Sequence, residues 1–165
     1  MSKEINKLVM SAMSGDKEAY GKLYEYYAND MYRFALGLCK NTYDAQDAVQ
    51  DTAVSVFKSM HSLRNPEKFK PYLFASLSNT CKKILSKNNY IVEFEDTGYT
   101  DSEMEFSLPV REALDNLDTT SREIVLLSVV GGFKSHEIGK IIDVPSATVR
   151  TKLKRALGKL RKELE

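Results

Sequence analysis

The sequence holds few of the residues on which metal, disulfide or membrane chemistry is built. Its 165 residues include two cysteines, Cys39 and Cys81, and two histidines, His61 and His136. Two thiols, each inside an apolar helical pattern, do not make the disulfide framework of a small secreted fold. They read as reduced, buried side chains of a cytoplasmic protein. With neither CxxC nor HxxxH spacing present, the ligand pairs of a zinc site are missing as well. No apolar run approaches the roughly 20 residues that a membrane span needs, and the opening Met1-Ser2-Lys3-Glu4-Ile5 lacks the apolar core of an export signal. P-loop and nucleophile–base spacings are absent. Asp44, Asp47 and Asp51 share one helix face, but a hard-cation site needs oxygens converging from several segments. The expectation is a chain with no metal, no cofactor, no catalytic residues and no membrane insertion.

What is present is globular: 42% hydrophobic, 28% charged and 10% aromatic. The net charge of +1 conceals a division along the chain. Residues 1–87 carry +4, residues 88–107 carry −6 with no lysine or arginine, and residues 108–165 carry +3. The six acids of the middle block are Glu93, Glu95, Asp96, Asp101, Glu103 and Glu105. Two basic blocks around an acidic connector point to a polyanionic partner.

Both flanks show helical periodicity. Leu23, Tyr26, Tyr27, Met31, Phe34, Ala35 and Leu38 recur at three- and four-residue steps after a break at Gly15-Asp16, where Asp16 can cap the next helix. A second stripe runs through Ala45, Ala48, Val49, Thr52, Ala53, Val56, Phe57 and Met60, and Asn65-Pro66 interrupts it. Pro71 can open a third helix, because a first turn tolerates its missing N–H. Residues 88–107 have no sustained period, although Tyr90 to Phe94 could form a short extended segment. As a flexible linker these twenty residues span about 25 Å on average and about 66–72 Å at full extension. The last block reads as four helices, with Thr120-Ser121-Arg122-Glu123 as a capping box and Gly131-Gly132 ending the following run. No strand alternation of useful length occurs. The fold class is all-α: two small helical domains (1–87 and 108–165) joined by an acidic flexible linker (88–107).

The most specific stretch is 135–160. Ser135 can cap a short helix with Ile138, Ile141 and Ile142 on one face, Asp143-Val144-Pro145 makes a tight turn, and a helix over 146–164 runs about 28 Å. This is a helix-turn-helix. Val149, Leu153, Ala156, Leu157 and Leu160 supply its buried stripe. Ser146, Thr148, Arg150, Thr151, Lys154 and Arg155 are left to meet DNA, since the second helix of such a motif enters the major groove by its N-terminal end. Seven cations and no acid lie between Arg150 and Lys162.

The stretch Glu137-Ile138-Gly139-Lys140-Ile141, followed by Ala147-Thr148-Val149-Arg150-Thr151-Lys152-Leu153-Lys154-Arg155-Ala156, resembles the minus-thirty-five-reading domain of extracytoplasmic-function RNA polymerase sigma factors, as does Leu114-Asp115-Asn116-Leu117 with Arg122-Glu123. Ala45-Gln46-Asp47-Ala48-Val49-Gln50-Asp51 is similar to that family's helix docking on the polymerase clamp, and Phe69-Lys70-Pro71-Tyr72-Leu73-Phe74 through Asn79 to its minus-ten-reading helix. Three positions depart from the pattern: Tyr72 replaces the usual tryptophan, Ala75 a commonly basic residue, and Ala147 the usual glycine. The resemblance implies a sigma factor of two helical domains, regions 2 and 4, that guides core RNA polymerase to promoter DNA and helps melt the minus-ten element. Asp47, Gln50 and Asp51 would meet polymerase. Arg64, Asn65, Lys68, Lys70, Asn79, Lys82 and Lys83, on the 62–70 loop and the following helix, would capture the minus-ten strand. Phe69, Tyr72 and Phe74 are expected to pack the core. The connector would thread the polymerase, and an anti-sigma factor would hold the protein inactive in the cytoplasm. A regulator of the response-regulator type shares the final motif, but binds DNA as a dimer without polymerase.

Overall fold

A computed structural model describes residues 3–88 and 106–165. Eight α-helices make up the described residues: α1 (Lys3–Met13), α2 (Lys17–Cys39), α3 (Thr42–Ser59), α4 (Phe69–Asn88), α5 (Leu108–Asp115), α6 (Thr119–Val129), α7 (Ser135–Ile142) and α8 (Ser146–Leu164), with short 3-10 turns at Met60–Ser62 and Pro66–Lys68. The segment Tyr90 to Phe94 and the six linker acids lie outside the described residues.

Local chemistry sets the boundaries of the N-terminal helices. The Asp16 carboxylate accepts from the N–H groups of Glu18 at 3.0 Å and Ala19 at 3.2 Å, which starts α2. Lys40 ends it in the left-handed region, φ 66°, and Asn41 caps α3 through the Asp44 N–H at 3.1 Å. Asn65 caps the Pro66–Lys68 turn, which runs directly into α4. The helix therefore begins at Phe69, two residues before Pro71, which still falls in the first turn where no intrahelical N–H is required.

Helix α2 is the axis of the fold. Leu23, Tyr27, Met31, Phe34 and Leu38 are all buried, α2 packing on α1, α3 and α4 and meeting α4 through Tyr27–Phe69 and Phe34–Phe74. Towards its C-terminus Ala35, Leu36, Gly37 and Cys39 are buried too, because α6 lies along the other side. Gly37 marks the approach: a Cβ there would sit 2.6 Å from Leu126 Cδ2. Phe34, Phe74 and Phe133 make successive edge-on contacts at 5.9 and 5.5 Å. The aromatic chain thus runs from α2 through α4 to the segment after α6, and the two helical blocks share one apolar cluster. Phe69 and Phe74 are buried as expected, and Tyr72 is half-buried with its hydroxyl hydrogen-bonded to Ser59.

Both cysteines are free and buried. A hydrogen bond with Cys39, then burial, holds the Cys81 thiol well above its ordinary pKa, so it stays protonated and a poor nucleophile. None of the described helices is long and apolar enough to cross a membrane.

Two caps differ from the sequence expectation. Helix α6 is capped by Asp118, whose carboxylate accepts from Ser121 N–H at 3.3 Å; Thr120 lies inside the helix, and Glu123 points into the protein rather than back to the helix start. The N-cap of α7 is Lys134, with Ser135 as the first helical residue. Glu137 accepts from the Lys134 N–H at 2.8 Å and satisfies that end.

Candidate nucleic-acid interface

Helices α7 and α8 and the turn at 143–145 form the helix-turn-helix. Asp143 takes the left-handed conformation, φ 60°, and Val144 N–H bonds to Gly139 O at 2.9 Å. Gly139 is buried against this turn, where a Cβ would stand 2.5 Å from Val144 O. Ile138, Val149 and Ala156 seal the motif from within, Leu153 and Leu160 are half-buried, and Leu157 reaches solvent at 36% exposure. The buried stripe is thus narrower than the apolar pattern suggested, with Leu157 turned to solvent between the buried Ala156 and the half-buried Leu160.

The outer face of α8 carries Thr148, Arg150, Thr151, Lys154 and Arg155, all exposed. Ser146 is half-buried and accepts from Arg150 Nη1 at 3.4 Å. Thr151 Oγ1 donates back to Ala147 O at 3.1 Å, leaving its oxygen lone pairs to solvent. Asp118, with its pKa lowered chiefly by the hydrogen bond from Ser121, lies within electrostatic reach of Lys152. A cationic, hydroxyl-lined first two turns can meet phosphates and base edges together.

The seven candidates around α4 divide. Arg64, Asn65 and Lys68 are exposed in the connecting turn, and Asn79 and Lys83 are exposed on α4. Asn65 uses its side-chain oxygen to cap Glu67 N–H at 3.0 Å, which leaves its amide donors outward. Lys70 and Lys82 instead turn to the C-terminal block. The Lys70 ammonium donates to Gly131 O at 2.6 Å and sits 4.8 Å from the centre of the Phe133 ring. Lys82 Nζ is 3.1 Å from Glu123 Oε2.

Asp47, Gln50 and Asp51 are exposed on α3, whereas Asp44 is half-buried at its first turn. The same helix presents Tyr43 and Val54, 69% and 56% exposed. With Asp47 and Gln50 these stand at i, i+4, i+7 and i+11, one continuous strip. The sequence reading passed over both apolar residues, although that spacing was available. It also missed Ser78, whose hydroxyl donates to Glu123. Among the described residues no group of three or more His, Cys, Asp or Glu side chains could hold a metal ion.

A basic helix-turn-helix together with exposed acidic and basic helix faces makes a surface suited to a polyanionic partner. Comparison with known proteins narrows this. The family model for sigma-70 region 2 matches residues 23–90, and that for sigma-70 region 4 matches residues 107–160. The chain is 32% identical over 145 residues to RNA polymerase sigma factor SigV of Bacillus subtilis, covering 84% of this chain and 86% of that protein. It is 23% identical over 184 residues to ECF RNA polymerase sigma factor SigW of the same organism, covering 99% and 98%. The fold is similar to that of the sigma factor RpoE solved with the anti-sigma factor NepR from Bartonella quintana (TM-score 0.77, 21% identity, 88% of this chain and 96% of that one). It is also similar to CnrH solved with the cytosolic domain of CnrY (TM-score 0.71, 22% identity, 98% and 97%).

The chain belongs to the extracytoplasmic-function sigma factors of RNA polymerase. Its function is promoter-specific initiation of transcription, with core RNA polymerase and promoter DNA as partners.

Proposed function

We propose that the three exposed faces divide this work as follows. The N-terminal half of α8 reads the minus-thirty-five element in the major groove: Arg150 and Thr151 face base edges, while Thr148, Lys154, Arg155 and Ser146 fix the register on phosphates. The turn 62–70 and α4 capture the minus-ten strand as it unstacks, with Arg64, Asn65, Lys68, Asn79 and Lys83 on the exposed side and Lys70 and Lys82 at the edge of the C-terminal block. Asp47, Gln50 and Asp51 dock on a basic surface of core polymerase, with Tyr43 and Val54 as apolar flanks. Residues 1–87 and 108–165 act as the two DNA-reading domains, and the acidic 88–107 segment occupies basic polymerase channels between them. The chain acts in the cytoplasm as a non-catalytic specificity subunit.

The observation that carries this reading is the exposed cationic face at the start of α8, set by the glycine-tight turn that aims it. The similar sigma factor RpoE, solved with the anti-sigma factor NepR, supports a partner of that kind here as well.

Permanganate footprinting of open complexes tests the assignment around α4. Asn79→Ala, and a variant with residues 62–70 exchanged for an unrelated loop, are expected to weaken melting or shift its sequence preference. Unaltered melting and preference in both would remove this surface from the site.

A further inference from the structure

Helical phase puts two methyl groups at the centre of the outward face of α8. Val149 and Ala156 are buried, and Leu153 is half-buried beside them. At about 100° per residue, Ala147 and Thr151 each stand about 160° from Val149, one on either side of the line opposite the core. Arg150 and Thr148 stand on the two flanks, each about 100° from Val149. Ala147 and Thr151 are both exposed. One turn apart, they are neighbours along the face, with about 6 Å of helix rise between them.

Local hydrogen bonding makes this centre poor in donors. Thr151 Oγ1 donates to Ala147 O at 3.1 Å, so its hydroxyl hydrogen is held inside the helix. The side chain keeps a methyl and acceptor lone pairs for whatever it meets. Arg150 is tethered on its flank, with Nη1 3.4 Å from Ser146 Oγ. In the major groove an A·T pair presents the thymine C5-methyl and the adenine N6 donor on one edge. These complement the methyl and the lone pairs that Thr151 keeps, and the Ala147 methyl beside them. We propose that Ala147 and Thr151 set specificity within the minus-thirty-five element by packing their methyls on the C5-methyl of thymine. This rests on the reading of α8 as the minus-thirty-five helix.

A G·C pair offers a donor at cytosine N4 but no methyl, so the apolar contact is what tells the two pairs apart. Burial of one methyl is worth about fourfold in affinity. That ranks competing promoters without holding the duplex, a task left to the surrounding cations on phosphates. Ala147 is also where this chain departs from the usual glycine, and glycine has no side chain with which to sense a base. The added methyl therefore gives this chain a preference that a glycine at the same place could not supply.

The test uses holoenzyme, the full chain with core RNA polymerase, on a promoter recovered by run-off transcription from a genomic library. Each thymine of the minus-thirty-five element, on either strand, is replaced singly by deoxyuridine, which keeps base pairing and removes only the C5-methyl. At one position or two neighbouring ones, uracil is expected to weaken binding about fourfold. Ala147→Gly, and Thr151→Ser, which keeps the hydroxyl, should each bind the thymine duplex more weakly and lose the preference for thymine over uracil at the position that methyl serves. A merely structural role would weaken both duplexes alike and leave the preference intact. Thr151→Ser carries the test should Ala147→Gly lose helical circular dichroism. Indifference to uracil at every thymine, an element without A·T pairs, or an undiminished preference in either folded variant overturns the proposal. Arg150→Ala and Lys154→Ala separate the two readings. If neither alters binding to the element, the assignment of α8 falls; if both do while uracil has no effect, only the methyl contact falls.

Discussion

Replacing Gly37 by alanine sets two effects of opposite sign against each other, and the structure says where each one acts. Alanine in a helix interior is favoured over glycine by about 1 kcal/mol, and that gain is local to α2. The added methyl would lie 2.6 Å from Leu126 Cδ2, 3.0 Å from Leu126 Cδ1 and 3.2 Å from Phe106 Cε2. Leu126 is fully enclosed on α6, so it has little room to yield, and overpacking of this kind costs about 1–3 kcal/mol. That cost exists only while α6 is docked on α2. Gly37→Ala should therefore lower the stability of the docked chain by about 0–2 kcal/mol, a fall of several degrees at most in Tm for a chain of this size. It should also shift the two blocks towards separation. Calorimetry gives the first quantity and inter-block energy transfer the second. A variant with raised Tm and undiminished transfer would show that the α2–α6 approach does not depend on the missing side chain, and the packing argument would fail.

Three further outcomes follow from named groups. Arg150→Ala is expected to cost about 1–3 kcal/mol on promoters carrying its preferred base and little on others. Lys154→Ala should weaken all promoters alike and reduce the salt slope of binding by about 1; identical behaviour of the two variants in a salt series of holoenzyme binding would contradict the division of roles. Asp118→Ala removes the α6 cap and should cost about 1 kcal/mol near neutral pH. Because the Asp118 pKa is lowered on folding, its contribution is present above the ordinary carboxylate value and lost as pH falls through the lowered one. Stability curves of native and variant protein should then converge in acid, and a constant gap at every pH would exclude the charged cap.

Much of this architecture is legible where the determinants are local. Asp16 caps its helix, Gly131-Gly132 follows the end of α6, and α8 starts directly after Pro145, because each of these signals lies within a turn of the boundary it marks. The failures lie where the deciding partner is remote in sequence. Thr120 and Glu123 satisfy the spacing of a capping box, yet Asp118 takes the cap and Glu123 turns to Ser78, 45 residues away. Lys70 looks like a solvent-facing cation until Gly131, 61 residues on, supplies its acceptor. Leu157 fits the apolar stripe of α8, but nothing packs over it there. The exposure of Thr148, Arg150, Thr151, Lys154 and Arg155 on α8 was readable because helical phase alone turns them outward. The partial burial of the α4 cations was not, because it depends on how one block docks on the other.

The account depends most on the chain making polymerase initiate at chosen sites. Purified chain should bind core RNA polymerase at low salt and, with a genomic library as template, yield discrete run-off transcripts absent from core enzyme alone. Paired reversal of Asp47 and Asp51 to lysine should abolish both. No association with core polymerase, or transcripts unchanged by adding the chain, would contradict the central claim.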